Sequence, residues 1–182
     1  MNLKMTFKIT LCACLVALSG LRNECQAQTD VYKAYSLFIY NFAKYSEWPV
    51  NSDQFTIGVL GSSKIVNTLE AVTQNRKIAG KSIVVKQLKI TDDLNSSQIL
   101  FIPQLKSSSL AKVLEQTGNK PVMVVTEKKG LYEEGACISF MVDSSQKLKF
   151  EINYSVLSSK NLKMANSLKS LAVNKEGLSK LN

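Results

Sequence analysis

Histidine is absent from this 182-residue sequence, and its absence narrows the chemistry that the chain can perform. Ser-His and Cys-His nucleophile pairs are excluded, together with most zinc sites. Acidic residues are also scarce, because 14 Asp and Glu stand against 23 Lys and Arg. The two adjacent carboxylate pairs, Asp92-Asp93 and Glu133-Glu134, lie among polar residues, as is usual for solvated loops. The sequence therefore predicts no catalytic residue, no metal site and no cofactor.

The sequence also lacks an apolar run of the length that a membrane-spanning helix needs, which is about 20 residues. The apolar run from Ile9 to Leu18 follows two lysines and precedes the small-residue triplet Cys25-Gln26-Ala27. This three-part layout is typical of a secretory signal peptide. We expect residues 1–27 to be removed on export, so that the mature protein begins at Gln28. Cleavage after Ser19 is the alternative.

Cysteine is nearly absent from the part of the chain that remains after such cleavage. Three of the four cysteines lie within residues 1–27, and Cys137 is the fourth. An internal disulfide is therefore not expected in the mature chain, and the hydrophobic core must hold the fold without one. Cys137 lies between Ala136 and Ile138, and these apolar neighbours predict a buried, unreactive thiol.

The chain is basic, with a formal net charge of +9, but the positive charge is not concentrated. Lysines are spread along the sequence, and the adjacent pairs Arg76-Lys77 and Lys128-Lys129 have no interleaved aromatic residues. Nucleic-acid binding is therefore not predicted. A solvated basic surface is the simpler interpretation.

The order of apolar segments predicts the fold class. Four apolar strands alternate with helical segments, and two further strands close together form a hairpin. Continuous apolar strands are typical of a sheet covered on both faces. We expect an α/β fold with one domain at residues 28–173, a mostly parallel central sheet, helices on both faces, an antiparallel edge hairpin and a polar tail at residues 174–182. The predicted strands are Gln54 to Leu60, Lys81 to Leu88, Gln98 to Ile102, Pro121 to Thr126, Ala136 to Val142 and Lys147 to Asn153.

The segment from Asp30 to Pro49 predicts the first helix of the mature chain. Its apolar residues recur at helical spacing and form a broad aromatic face. Asn41 falls on that face, where an unpaired polar side chain costs about 1–3 kcal/mol, so we expect it to find a hydrogen-bond partner inside the domain. Tyr45 and Trp48 lie where this helix is expected to end. The face is formed by Ala34, Leu37, Phe38, Phe42 and Tyr45.

The tetrapeptide Phe150-Glu151-Ile152-Asn153 closes the predicted hairpin just before a helical segment from Tyr154 to Leu171. In a strand, Phe150 and Ile152 share one face, while Glu151 and Asn153 share the other. The two polar residues either cap the following helix or meet Asn41. We therefore expect Asn41, Glu151 and Asn153 to form a structural polar network, with a ligand or partner site as the alternative.

Taken in order, these motifs resemble the YfiR/HmsC-like family of periplasmic regulators over nearly the whole mature chain. The combination of the Asn41-Phe42 and Trp48-Pro49 stretch with Phe150-Glu151-Ile152-Asn153 is its most specific part. The matching residues are Tyr40 to Lys44, Glu47 to Pro49, Ile57 to Val59, Gly61, Gly80, Lys81, Ile83, Val85, Ile99 to Ile102, Gly135, Ile138, Phe140 and Phe150 to Asn153.

The resemblance implies a non-enzymatic exported protein of the periplasm. It implies that the chain represses a membrane signalling protein, with a diguanylate cyclase as the leading partner, and so lowers cyclic di-GMP and biofilm formation. Aromatic residues commonly anchor contacts between proteins, which makes Tyr45 and Trp48 the candidate partner-binding residues. Closing the core at the end of the helix is their alternative role. Whether the chain also forms a homodimer is left open.

A second interpretation comes from a different functional class. Open α/β sheets bind ligands at the carboxyl ends of their strands, which here places a ligand site near Gly61 and Pro103. The chain would then be a periplasmic small-ligand-binding sensor module that acts with a histidine kinase. A pocket with convergent polar groups favours this interpretation, and exposed aromatic residues on a flat surface favour the first.

Overall fold

The computed structural model describes residues 31–49 and 52–174. The predicted signal peptide and residues 175–182 of the predicted tail lie outside the described residues. Five helices are described: α1 (residues 31–44), α2 (Ile65–Thr73), α3 (Leu110–Thr117), α4 (Tyr154–Ser159) and α5 (Asn166–Lys169). Two short 3-10 helices cover Leu94–Ser96 and Gln104–Ser109.

Nine strands are described, and seven of them form one sheet. They are β1 (Ser46–Glu47), β2 (Gln54–Leu60), β3 (Lys77–Ile78), β4 (Lys81–Leu88), β5 (Ile99–Ile102), β6 (Met123–Thr126), β7 (Ile138–Val142), β8 (Leu148–Ile152) and β9 (Lys163–Met164). The large sheet has the order β3-β4-β2-β5-β6-β7-β8, and β1 pairs with β9 in a separate two-stranded sheet.

Strand pairing in the large sheet is mostly parallel. β2 runs parallel to both β4 and β5, and β5, β6 and β7 continue in the same direction. β7 and β8 pair antiparallel as a hairpin at one edge, and β3 and β4 pair antiparallel at the other. The predicted α/β class, with a mostly parallel sheet and an antiparallel edge hairpin, is confirmed.

Helices cover both faces of the sheet because its central strands are apolar on both sides. In β5, Ile99 and Phe101 face α1 and α2, whereas Leu100 and Ile102 face α3. All four side chains are fully buried. Burial on both faces explains why this strand reads as a continuous apolar run rather than an alternating one.

The larger core is built on aromatic rings that α1 brings onto the sheet. The Phe140 ring in β7 lies 4.7 Å from Tyr35, 5.9 Å from Phe42 and 6.0 Å from Phe38, measured between ring centroids. Phe150 in β8 meets Phe42 edge to face at 5.1 Å. Phe38 and Phe42 of the predicted face therefore do pack on β7 and β8. Leu37 and Tyr45 of that face are exposed instead, and Tyr35 and Ile39, which it did not include, are buried.

The first helix is shorter than the sequence predicts. Its described part ends at residue 44, and the last helical hydrogen bond runs from the Tyr45 N–H to the Asn41 carbonyl. The Tyr45 carbonyl instead accepts the Ala165 N–H at 2.8 Å, and β1 pairs with β9. The distant segment offers the backbone another partner, so the chain leaves the helix before Pro49.

The predicted helix from Tyr154 to Leu171 is also wrong, because it is divided into α4 and α5 with β9 between them. Asn161 has a φ of +55°, and the Leu162 N–H reaches back to the Leu157 carbonyl at 2.9 Å. This is a Schellman motif, in which a residue in the left-handed region ends a helix. Asparagine adopts that conformation more readily than most residues, so it serves here in place of glycine.

Candidate functional site

Tyr45, one of the two candidate partner-binding residues, is an exposed aromatic residue at the end of α1. Its side chain is 44% exposed, and the Lys44 ammonium lies 5.1 Å from the centre of its ring. The Tyr45 backbone is held in place by the hydrogen bond from Ala165. Tyr45 thus offers an apolar ring to solvent from a fixed position, which suits a contact residue.

Trp48 has a different environment from Tyr45. It is half-buried, and its ring meets Phe55 edge to face at 5.0 Å. Its indole N–H donates to the Ala43 carbonyl at 2.9 Å, which satisfies a carbonyl near the end of α1. These contacts match the alternative role for Trp48, closing the core at the end of the helix.

A cleft of about 520 Å³ lies beside the β1–β9 pair. Leu157, Leu162 and Met164 supply its buried apolar floor. Glu47 and Lys163 face each other across the two strands at 3.7 Å, but both side chains are largely exposed, so this ion pair adds little stability. The remaining lining residues are Tyr154, Ser158, Asn161, Ala165, Asn166 and Lys169.

Asn153 caps α4, which is one of the two roles that the sequence offers for it. Its side-chain oxygen accepts the Val156 N–H at 3.0 Å and the Ser155 hydroxyl at 2.7 Å. Its amide nitrogen donates to the Tyr132 carbonyl at 2.6 Å. Asn153 therefore joins the end of β8, the start of α4 and the loop that precedes β7.

The structure separates Asn41 from the other two residues of the expected polar network. α1 packs on the sheet face that carries Phe150, as the 5.1 Å contact between Phe42 and Phe150 shows. Glu151 points to the opposite face because side chains alternate along a strand, so β8 lies between Glu151 and Asn41. Among the described residues, the Asn41 side chain makes no hydrogen bond to Glu151 or Asn153. The expectation of a direct link from Asn41 is corrected accordingly.

Glu151 is nevertheless an unusual residue. It stands opposite Ser139, whose hydroxyl lies 2.9 Å from that of Thr126, so a row of polar side chains crosses β6, β7 and β8. The Glu151 Oε2 atom is buried, and no described residue hydrogen-bonds to it. A buried carboxylate oxygen without a partner costs free energy, which limits the stability of this edge of the domain.

Cys137 and Lys160 form a second buried polar site, near the C-terminal end of α3. Cys137 is fully buried, and burial raises the pKa of its thiol to about 11, so the thiol stays protonated at neutral pH. The Lys160 ammonium donates to the Gly118 and Lys120 carbonyls, and burial lowers the pKa of this amine. The burial of Cys137 predicted from the sequence is confirmed.

The carboxyl ends of the central strands are spanned by the chain's own side chains. The Lys106 side chain crosses Gly61, where an added Cβ would lie 2.6 Å from the Lys106 Cε. The Gln104 N–H donates to the Glu127 carboxylate at 2.8 Å, and burial raises the pKa of Glu127. Neither the 520 Å³ cleft beside the β1–β9 pair nor a second cleft, between α2 and β4, lies at Gly61 or Pro103.

Two further observations bear on the class of protein. In residues 31–49 and 52–174, no group of three or more Cys, Asp or Glu side chains is placed to hold a metal ion. Over the same residues, no helix has the length and apolar character needed to cross a membrane.

These features describe a small α/β domain with an exposed aromatic residue and open clefts. Residues 32–173 match the profile described as YfiR/HmsC-like, and the chain belongs to this family. The family is periplasmic, and it is regulatory rather than catalytic. A comparison with curated proteins gave no significant match.

Proposed function

We propose that this protein is an exported regulator that represses a membrane-bound diguanylate cyclase through the cyclase's periplasmic region. Repression lowers cyclic di-GMP and, with it, biofilm formation. Membership of the YfiR/HmsC-like family over residues 32–173 is the observation that carries this proposal. The signal peptide predicted for residues 1–27 supplies the route to the periplasm.

The mechanism is occupation of the partner rather than chemistry. Tyr45, at the end of α1, is the contact residue that we propose, because its ring is exposed and its backbone is fixed. Aromatic anchors of this kind contribute much of the binding free energy at protein interfaces. Trp48 packs on Phe55 and fixes the chain that follows Tyr45. We therefore expect substitution of Trp48 to change binding through the position of Tyr45 rather than through direct contact with the partner.

A second function has a specific observation in its favour. The 520 Å³ cleft beside β9 combines an apolar floor with polar groups on Tyr154, Asn166 and Lys169 at its rim. Small-molecule sites share that combination. The chain would then be a ligand-binding sensor that reports to a histidine kinase.

A titration separates the two proposals. Purified residues 28–182 are titrated by calorimetry into the purified periplasmic regions of the membrane diguanylate cyclases and histidine kinases of the source organism. We expect saturable binding to a cyclase region, and we expect Tyr45→Ala to weaken it about tenfold, as the loss of an interface anchor does. Leu171→Ala, at another exposed apolar residue, serves as the matched control and should bind normally.

The contrary outcomes are equally clear. Binding to a kinase region alone would retain regulation and remove the cyclase from the proposal. Binding to none of the regions, together with tight binding of a small metabolite, would replace the regulator with the ligand sensor.

A further inference from the structure

The outer side of β4 is an open strand edge. β3 pairs with β4 only at Lys81 and Ser82, and within the described residues no strand continues that pairing toward Leu88. Ile83, Val84 and Val85 are only half-buried, although all three are strongly apolar. Exposed strand edges are the sites where another extended chain pairs most readily.

The hydrogen bonds of β4 show which backbone groups are open. The Leu88 carbonyl accepts the Gly61 N–H at 2.7 Å, so the peptide groups of Leu88 point toward β2. Because the direction alternates along a strand, the N–H and C=O groups of Ile83, Val85 and Gln87 point the other way. The pairing of Ser82 with Lys77 places the Ile83 N–H beside the Arg76 carbonyl, so Val85 and Gln87 supply the open N–H and C=O groups that an added strand requires.

A cleft of about 900 Å³ adjoins this edge. Ile83 and Val85 form its apolar floor, and α2 forms its wall with Asn67, Glu70 and Ala71. Arg76 stands at the rim, where its guanidinium lies 4.6 Å from the centre of the Tyr40 ring on α1. An added strand would therefore have space for its inward-facing side chains beside a positioned cation.

The charge around the edge selects the kind of chain that fits. Arg76, Lys77 and Lys86 are exposed along the edge and its cleft, and Glu70 is the acidic residue in the cleft lining. Two copies of this edge would bring like charges together, which disfavours self-pairing. An acidic segment would be attracted instead.

We propose that the outer edge of β4 is a docking site for an extended, acidic segment of a partner protein, which adds to the sheet as a further strand and places side chains in the 900 Å³ cleft. This inference rests on the proposed function, because the segment belongs to the periplasmic region of the membrane partner. It identifies a contact that is separate from Tyr45.

The first test removes one outward backbone donor. Val85→Pro deletes the N–H that points away from β2, and proline is tolerated at an edge strand where the N–H faces solvent. The probe is the purified periplasmic cyclase region used in the titration above. We expect Val85→Pro to weaken binding about tenfold or more, because a hydrogen bond is lost and the ring meets the added strand. Val85→Ala shortens the same side chain but keeps the N–H, so it should weaken binding less than Val85→Pro does.

The second test changes charge instead of backbone. Lys77→Glu reverses an exposed charge in the cleft, and Lys112→Glu makes the same change on the exposed side of α3. We expect the first to weaken binding and to reduce its sensitivity to NaCl, and the second to do neither. Hydrogen exchange on the native chain adds a readout without any substitution, since the amides of Val85 and Gln87 should become protected when the cyclase region binds.

Several outcomes would overturn the docking site. If Lys77→Glu binds like the native chain, and exchange at the Val85 and Gln87 amides does not change on binding, the docking site is removed while the proposed function stands. If the native chain self-associates and Val85→Pro abolishes this self-association, the edge binds a second copy of the chain, and the acidic segment is removed from the proposal. Binding by no cyclase or kinase region would remove the proposed function and this inference together.

Discussion

Phe140→Ala should lower the free energy of unfolding by about 3–5 kcal/mol, the range for deleting a buried aromatic side chain. Phe140 is fully buried, and its ring contacts Tyr35, Phe38 and Phe42 of α1. The substitution leaves a cavity where α1 meets β7, so the cost includes lost contacts as well as lost burial. Denaturant unfolding measures it as a lower midpoint with an unchanged slope.

Val142→Ala provides the matched control on the same strand. Val142 ends β7 with 46% of its side chain exposed, so its truncation should change the free energy of unfolding by no more than about 0.5 kcal/mol. A loss of less than about 1.5 kcal/mol for Phe140→Ala would contradict its central position in the core.

Asn153→Ala should have the second largest effect, a loss of about 2–3 kcal/mol in the free energy of unfolding. The substitution removes the cap of α4, worth about 1 kcal/mol, and the 2.6 Å hydrogen bond to the Tyr132 carbonyl, worth about 1–1.5 kcal/mol more. Because Asn153 connects β8, α4 and the loop before β7, the effect should reach all three elements.

Asn153→Asp separates the two contributions. An aspartate oxygen still accepts the Val156 N–H, and its negative charge suits a helix N-terminus, but it cannot donate to Tyr132. We expect a loss smaller than that of Asn153→Ala. Equal losses for the two variants would contradict a net gain from keeping the cap, because the aspartate oxygen that replaces the amide nitrogen would then offset it by repelling the Tyr132 carbonyl oxygen.

The sheet could be predicted from sequence because its strands carry local patterns. β2 and β4 match their predicted bounds, since each is a run of β-forming residues with glycine or polar residues at its ends. The aromatic face of α1 was predicted in part, because helical spacing over about 15 residues identified Phe38 and Phe42 but also selected the exposed Leu37 and Tyr45 in place of the buried Tyr35 and Ile39. These patterns are local, so the rest of the fold does not alter them.

The β1–β9 pair could not be predicted in this way. Each strand has two residues, too few to show alternation, and Ser46 and Met164 are far apart in sequence. Their pairing ends α1 early and places β9 between α4 and α5. The helical spacing of apolar residues from Tyr154 to Leu171 therefore predicted one helix where the structure has two. The β1–β9 contact and the left-handed conformation of Asn161 interrupt the helix despite that spacing.

The candidate site was predicted only in part, because a local pattern does not show which elements pack together. Alternation along β8 correctly put Glu151 on the face opposite Phe150, but the sequence does not say on which face of the sheet α1 packs. Asn41 was therefore joined to Glu151 across a strand that separates them. The open side of β4 was missed because a sequence pattern shows a strand's faces but not its neighbours.

Cyclic di-GMP in a deletion strain tests the central claim most directly. The strain would carry an empty vector, the full chain, or the chain without residues 1–27, at matched protein levels. We expect deletion to raise cyclic di-GMP and surface attachment, the full chain to restore both, and the shortened chain to restore neither because it cannot leave the cytoplasm. Unchanged cyclic di-GMP on deletion, or full restoration by the chain that lacks residues 1–27, would contradict an exported regulator of a membrane cyclase.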